Sequence, residues 1–143
     1  MELLYFDLAH AIKVHDKVLE VSGGLPGILH SGRLESILTH VQNDDYYPSF
    51  EEKLTHIVFS IITSHCFFDG NKRTSIALGA FFLEINGLDA FVNKFIIEME
   101  NICVHVANNL IDKVLLQEII TSLIEEDEYG EELKLKIITS ISV

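Results

Sequence analysis

Apolar residues recur at helical spacing along most of the chain. Leu8, Ala11, Ile12, His15, Val18 and Leu19 share one face of a first predicted helix, which Asp7 can cap and Ser22-Gly23-Gly24 ends. Leu34, Ile37, Leu38 and Val41 mark a second, with Ser31 as its expected cap and an end near Asn43-Asp44-Asp45. Tyr46-Tyr47-Pro48 reads as extended. Ser49 then opens a third helix carrying Leu54, Ile57, Val58, Ile61 and Ile62, with Glu52 at the capping-box position. A fourth runs from about Asn71 to Asn86 and is stopped by Gly87; Ala77, Leu78, Phe81, Phe82 and Ile85 give it a wide apolar face. Gly79 is expected to permit close helix approach, and this helix to be the buried centre. Phe95, Ile96, Met99, Cys103, Val106, Ala107 and Leu110 form a fifth stripe. Asp112 can cap a sixth with Leu115, Leu116, Ile119, Ile120 and Leu123. The last segment is ambiguous, because Leu133, Leu135 and Ile137 alternate with lysines whereas Ile138 and Ile141 favour a helix. Three glycines and Pro26 between Gly23 and Ser31 predict a loop or short hairpin. The expectation is an all-α single domain over residues 1–143, a compact bundle of about six helices.

Composition narrows the class of protein. The 143 residues are 48% hydrophobic, enough for a real core and incompatible with disorder. No apolar run approaches the roughly 20 residues of a membrane span. Met1-Glu2-Leu3-Leu4 lacks the features of a signal peptide, so no membrane association and a cytoplasmic location are expected. With 22 acidic against 10 basic side chains the net charge is −12, which argues against direct nucleic-acid binding. Cys66 and Cys103 fall on segments that read as buried, and free thiols in a reducing compartment are expected rather than a disulfide.

Against this acidic background, the stretch from His65 to Thr74 concentrates unusual chemistry. Imidazole suits proton abstraction near neutral pH, so His65 is a candidate general base. Asp69 is a candidate Mg²⁺ ligand, since Mg²⁺ takes one or two carboxylates and completes its shell with waters and phosphate oxygens. Gly70 admits a ligand close to the backbone, and Asn71 opens a helix whose free N–H groups form an anion site. Lys72 offers a point charge and Arg73 a bidentate fork for phosphate. Together they read as transfer of a phosphate-containing group from a nucleotide. The bland alternative is a helix–turn–helix corner that caps its own termini. Phe67 is expected to plug the core and fix the loop. His15-Asp16, which resembles the centre of a metal phosphohydrolase site, is read as a surface pair, and His56 as structural.

His65-x-Phe67-x-Asp69-Gly70-Asn71-Lys72-Arg73-Thr74 resembles the motif of the Fic/Doc family, and Lys72 resembles the Doc (death-on-curing) branch. Gly23-Gly24-Leu25-Pro26-Gly27-Ile28, Gly32-Arg33-Leu34-Glu35-Ser36 and the segment from Tyr47 to Lys53 are also similar to Doc segments. Family members that transfer a nucleoside monophosphate usually have glycine where Lys72 stands, and a second arginine where Ile76 stands. The resemblance implies a toxin of a toxin–antitoxin pair. Its reaction would be Mg²⁺-dependent transfer of the γ-phosphate of ATP to a Ser/Thr hydroxyl of a target protein, such as a translation elongation factor, under restraint by a cognate antitoxin. It implies His65 as base, Asp69 as metal ligand, Gly70 and Asn71 as anion nest, and Lys72 and Arg73 as phosphate clamp. Thr74 is implied as a cap or phosphate contact, and Gly24–His30 as a flap that aligns the target's chain. Transfer of AMP to a protein hydroxyl, or a catalytically idle partner-binding module, remain the alternatives. An inhibitory helix known in some Fic proteins has Ser or Thr four residues before glutamate, then Gly or Asn; Ser122 and Glu126 fit the first two requirements, and Asp127 breaks the third.

Overall fold

The computed structural model describes residues 2–142. Among these described residues seven α-helices follow one another: α1 Leu8–Ser22, α2 Ser31–His40, α3 Phe50–Thr63, α4 Asn71–Ile85, α5 Val92–Ala107, α6 Lys113–Glu125 and α7 Glu131–Ile141. A single 3₁₀ turn, Asp89–Phe91, leads into α5. Three starts obey local capping rules: the carboxylates of Asp7 and Asp112 and the Ser49 hydroxyl accept from the N–H groups of His10, Leu115 and Glu52 respectively. Ser31 lies inside the first turn of α2, and His30, at the cap position, contributes no side-chain bond. Gly87, with φ of +78°, ends the chain run of α4 as expected.

The centre is shared between α3 and α4 rather than held by α4 alone. α3 packs against α2, α4, α5 and α6, and α4 against α1, α3 and α5. Burial runs unbroken from Lys53 to Val58 in α3, so this helix is covered nearly all round. Gly79 lets α5 approach α4: a Cβ there would lie 2.7 Å from Phe95 Cζ. Lys53 is buried, and its ammonium donates to the Val41 carbonyl at 2.9 Å and to Asp44 at 2.8 Å, tying the end of α2 to α3. The preceding loop is a turn rather than an extended run: Asn43 Oδ1 accepts from Asp45 and Tyr46 N–H, and its carbonyl from Tyr47 N–H.

The ambiguous last segment is helical. No residue of α7 is fully buried; Leu133, Ile137 and Ile141 pack on the core, and Leu135 and Ile138 face outward. Lys136 pairs with Glu118 of α6 at 2.9 Å.

Candidate functional site

The site is made by the way α3 stops and α4 starts. His65 adopts a left-handed backbone, φ +48°, which turns the chain out of α3. Cys66 and Phe67 then run beside the 24–30 segment. Leu29 and His30 N–H donate to the Cys66 carbonyl at 2.9 and 3.1 Å, and Phe68 N–H to the Gly27 carbonyl at 3.0 Å. This leaves one antiparallel bridge, Ile28 with Phe67. Asn71 closes the loop with its side chain, accepting from Phe67 N–H at 3.0 Å and donating to the Phe67 carbonyl at 2.8 Å. Phe67 is fully buried, the plug its place in the pattern predicts.

The side chains now take definite positions. His65 is exposed at the rim of a cavity of about 200 Å³, which Asp69, Gly70, Asn71, Lys72 and Arg73 also border. Ile62 and Ala107 contribute its apolar wall. Gly70, φ +79°, precedes α4 in a left-handed conformation, and no side chain caps that helix start. Its first-turn N–H groups are therefore open to an anion. Asp69 Oδ1 accepts from Gly70 N–H at 2.8 Å and Oδ2 from Leu25 N–H at 3.0 Å. The Leu25 amide, then the Gly70 amide, hold its carboxyl below the usual carboxylate range. Arg73 donates to the Gly23 carbonyl at 2.8 Å and to the Ser22 hydroxyl, with Asp69 Oδ1 3.7 Å away. Lys72 is exposed and in no ion pair among the described residues. Thr74 is fully buried and does not border the cavity.

Among the described residues, no cluster of three or more His, Cys, Asp or Glu side chains could cage a metal. A lone, half-exposed carboxylate beside an anion-binding helix start does fit a Mg²⁺ that completes its shell with phosphate oxygens and water. Cys66 is no nucleophile candidate, because burial pushes its thiol up. Both cysteines are free and buried.

One residue in contact with this loop was misread from the sequence. His15 is 1% exposed, not part of a surface pair; its ring stacks on Phe67 at 3.8 Å, and Nε2 lies 2.7 Å from the Asp69 carbonyl. Asp16 alone faces solvent. The available signal was the place of His15 on the apolar face of α1. Ser122 and Glu126 border a different cavity, between α6 and α7. A groove of about 860 Å³ between residues 4–10, α2 and α4 includes no motif residue.

Residues 5–83, more than half of the chain, match the family model described as "Fic/DOC family". The chain belongs to the Fic/DOC family. It is also 37% identical over 84 residues to "Protein kinase doc" of Escherichia phage P1, a match spanning 56% of this chain and 66% of that protein, just under two thirds of its length. The matched family region takes in α1 to most of α4, and hence the whole motif loop and the segment that lies against it. Among the described residues no helix is long and apolar enough to cross a membrane.

Proposed function

We propose that this Fic/DOC protein is a Doc-like toxin that transfers the γ-phosphate of ATP to a Ser/Thr hydroxyl of a target protein, with Mg²⁺. The observation that carries the reading is the convergence of His65, Asp69, Lys72, Arg73 and the uncapped start of α4 on one small cavity. The name of its phage relative, a protein kinase, agrees with this choice within the family.

When bound, ATP and Mg²⁺ would supply the phosphoryl group and neutralise its charge. His65 Nδ1 or Nε2 accepts the proton of the target's hydroxyl as its oxygen bonds to the γ-phosphorus and the bond to the β-phosphate oxygen breaks, so that ADP leaves. Asp69 would hold the metal. The first N–H groups of α4 and the Lys72 and Arg73 cations hold phosphate oxygens, and the 24–30 flap aligns the target chain. Lys72 fills the place of the glycine that leaves room for inner phosphates, which favours the γ-phosphate facing His65. Such a toxin needs a cognate antitoxin, and a partly disordered tail that folds on binding would serve. Ser122 and Glu126, away from the cavity, do not favour self-inhibition.

The test is transfer to protein in a cell lysate from ATP labelled separately on the γ- and α-phosphates. Label should appear from the γ position alone, and His65→Ala should abolish it while nucleotide binding survives. Label from the α position would establish AMP transfer instead. Absence of any transfer, with bound partner removed, would leave a binding module.

A further inference from the structure

Two hydrogen bonds hold the peptide that joins Asp69 to Gly70. The Asp69 carbonyl lies 2.7 Å from His15 Nε2, and the Gly70 N–H of the same peptide unit donates to Asp69 Oδ1 at 2.8 Å. One rigid plane is thereby pinned at both ends. Its oxygen is fixed from the interior by α1, and its N–H is directed at the carboxylate. Rotation of that plane would withdraw the N–H from Oδ1 and leave the carboxylate tethered only through Oδ2, by the Leu25 N–H. The left-handed φ of Gly70, +79°, leaves the plane no steric wall of its own against such rotation. Restraint must come from the carbonyl end.

His15 is built to supply it. A carbonyl has no hydrogen to give, so Nε2 is the donor and the bond fixes the tautomer. The ring cannot turn away, being 1% exposed and stacked on Phe67 with only 6° between planes. Phe67 is in turn held through its backbone by Asn71. A Cβ at position 70 would lie 3.6 Å from Nε2, so the imidazole sits within van der Waals reach of the loop.

We infer that His15 is the positioning residue for the metal ligand: by clamping the Asp69–Gly70 peptide it fixes the carboxylate for Mg²⁺, as outer-shell partners orient ligands in other metal sites. This rests on the assignment of Asp69 as metal ligand made above. Loss of the donor should lower metal affinity about 10- to 100-fold. The buried stack should survive if an aromatic ring remains.

The experiment compares His15→Phe, which keeps the ring and removes the donor, with His15→Gln, whose amide can donate to the carbonyl. Calorimetry with Mg²⁺ and a non-hydrolysable ATP analogue, and with the analogue in EDTA, separates metal from phosphate binding. For His15→Phe we expect the Mg²⁺ dissociation constant to rise at least 10-fold, metal-free nucleotide affinity to stay within 2-fold, and His15→Gln to recover most of the loss. Equal Mg²⁺ affinity in His15→Phe and wild type, or equal loss of metal-dependent and metal-free binding, overturns the inference. Absence of Mg²⁺-dependent binding in wild type overturns the Asp69 assignment itself. Should His15→Phe fail to fold, ¹⁵N NMR of the wild-type imidazole still decides. A proton on Nε2 that exchanges slowly is expected; the Nδ1–H tautomer would refute the clamp.

Discussion

His56 gives the fold a measurable dependence on pH. Its ring is buried in α3, 7% exposed and stacked 4.3 Å from the Tyr47 ring. Lys113 Nζ, at the start of α6, and Ser60 Oγ each lie 3.1 Å from its Nδ1. An ammonium can only donate, so Nδ1 must offer its lone pair and the ring must be neutral. Burial first, then the charges of Lys113 and His40, lower the His56 pKa to about 4. In the unfolded chain the value returns to about 6.5. Above that pH both states are neutral and His56 contributes nothing to the slope. As the pH falls from about 6.5 to about 4, the unfolded chain takes up a proton that the native state refuses. Stability is therefore lost through this window, by about 3 kcal/mol in full, a large share of a typical 5–15 kcal/mol. Urea unfolding between pH 7 and pH 4.5 for wild type and His56→Gln measures it. The glutamine keeps an acceptor for Lys113 but takes up no proton, so its curve should fall less, and the two should diverge by about 2–3 kcal/mol at the acid end. Parallel curves would refute the reasoning, as would a native-state His56 titration by NMR with a midpoint near 6.5.

Two glycines separate function from folding. Gly24 has φ +130°, and a Cβ there would lie 2.8 Å from Asp69 Oδ2 and 3.1 Å from Arg73 Nη2. Gly24→Ala should push the flap off the site at a local cost of about 1–3 kcal/mol. Amide exchange of Leu29 and His30 should quicken and transfer fall at least 10-fold, with the unfolding midpoint little changed; unaltered exchange would contradict it. Gly79→Ala should instead destabilise the whole fold by about 1–3 kcal/mol through overpacking against Phe95. Phe95→Leu in the same chain should recover part of the loss in thermal unfolding, and an undiminished midpoint for the single variant would show that α5 can yield.

What could be read from sequence was what is decided within a turn or two of chain. Asp7, Ser49 and Asp112 cap by reaching three residues ahead, and the apolar stripes of α1 to α6 follow the helical period. The motif's order of residue types marked a loop that gathers an imidazole, a carboxylate and two cations, and those side chains border one cavity. α7 stayed ambiguous because it lies on the core by three partly buried side chains and shows Leu135 and Ile138 to solvent, which blurs its period. The partners of the loop were out of reach for another reason. His15 meets Asp69 across 54 positions, and Arg73 meets Gly23 across 50. Several of the flap's bonds to the loop are backbone to backbone, which leave no mark on side-chain pattern. Thr74 took its expected role from its place in the motif, and its side chain lies in the core.

The backbone at His65 sets two demands against each other. A left-handed φ of +48° is one that glycine adopts without steric cost, whereas a residue with a Cβ pays for it. The proposed chemistry needs the imidazole there, so the reactive side chain is carried by a conformation it disfavours. Replacement by glycine would remove the proposed base and relax the chain together. Substitution at this exposed position should therefore cost the fold little, unlike substitution of Phe67, whose buried ring supports the loop. A lineage that abandoned the proposed catalysis would have here a one-residue exit that leaves the scaffold folded.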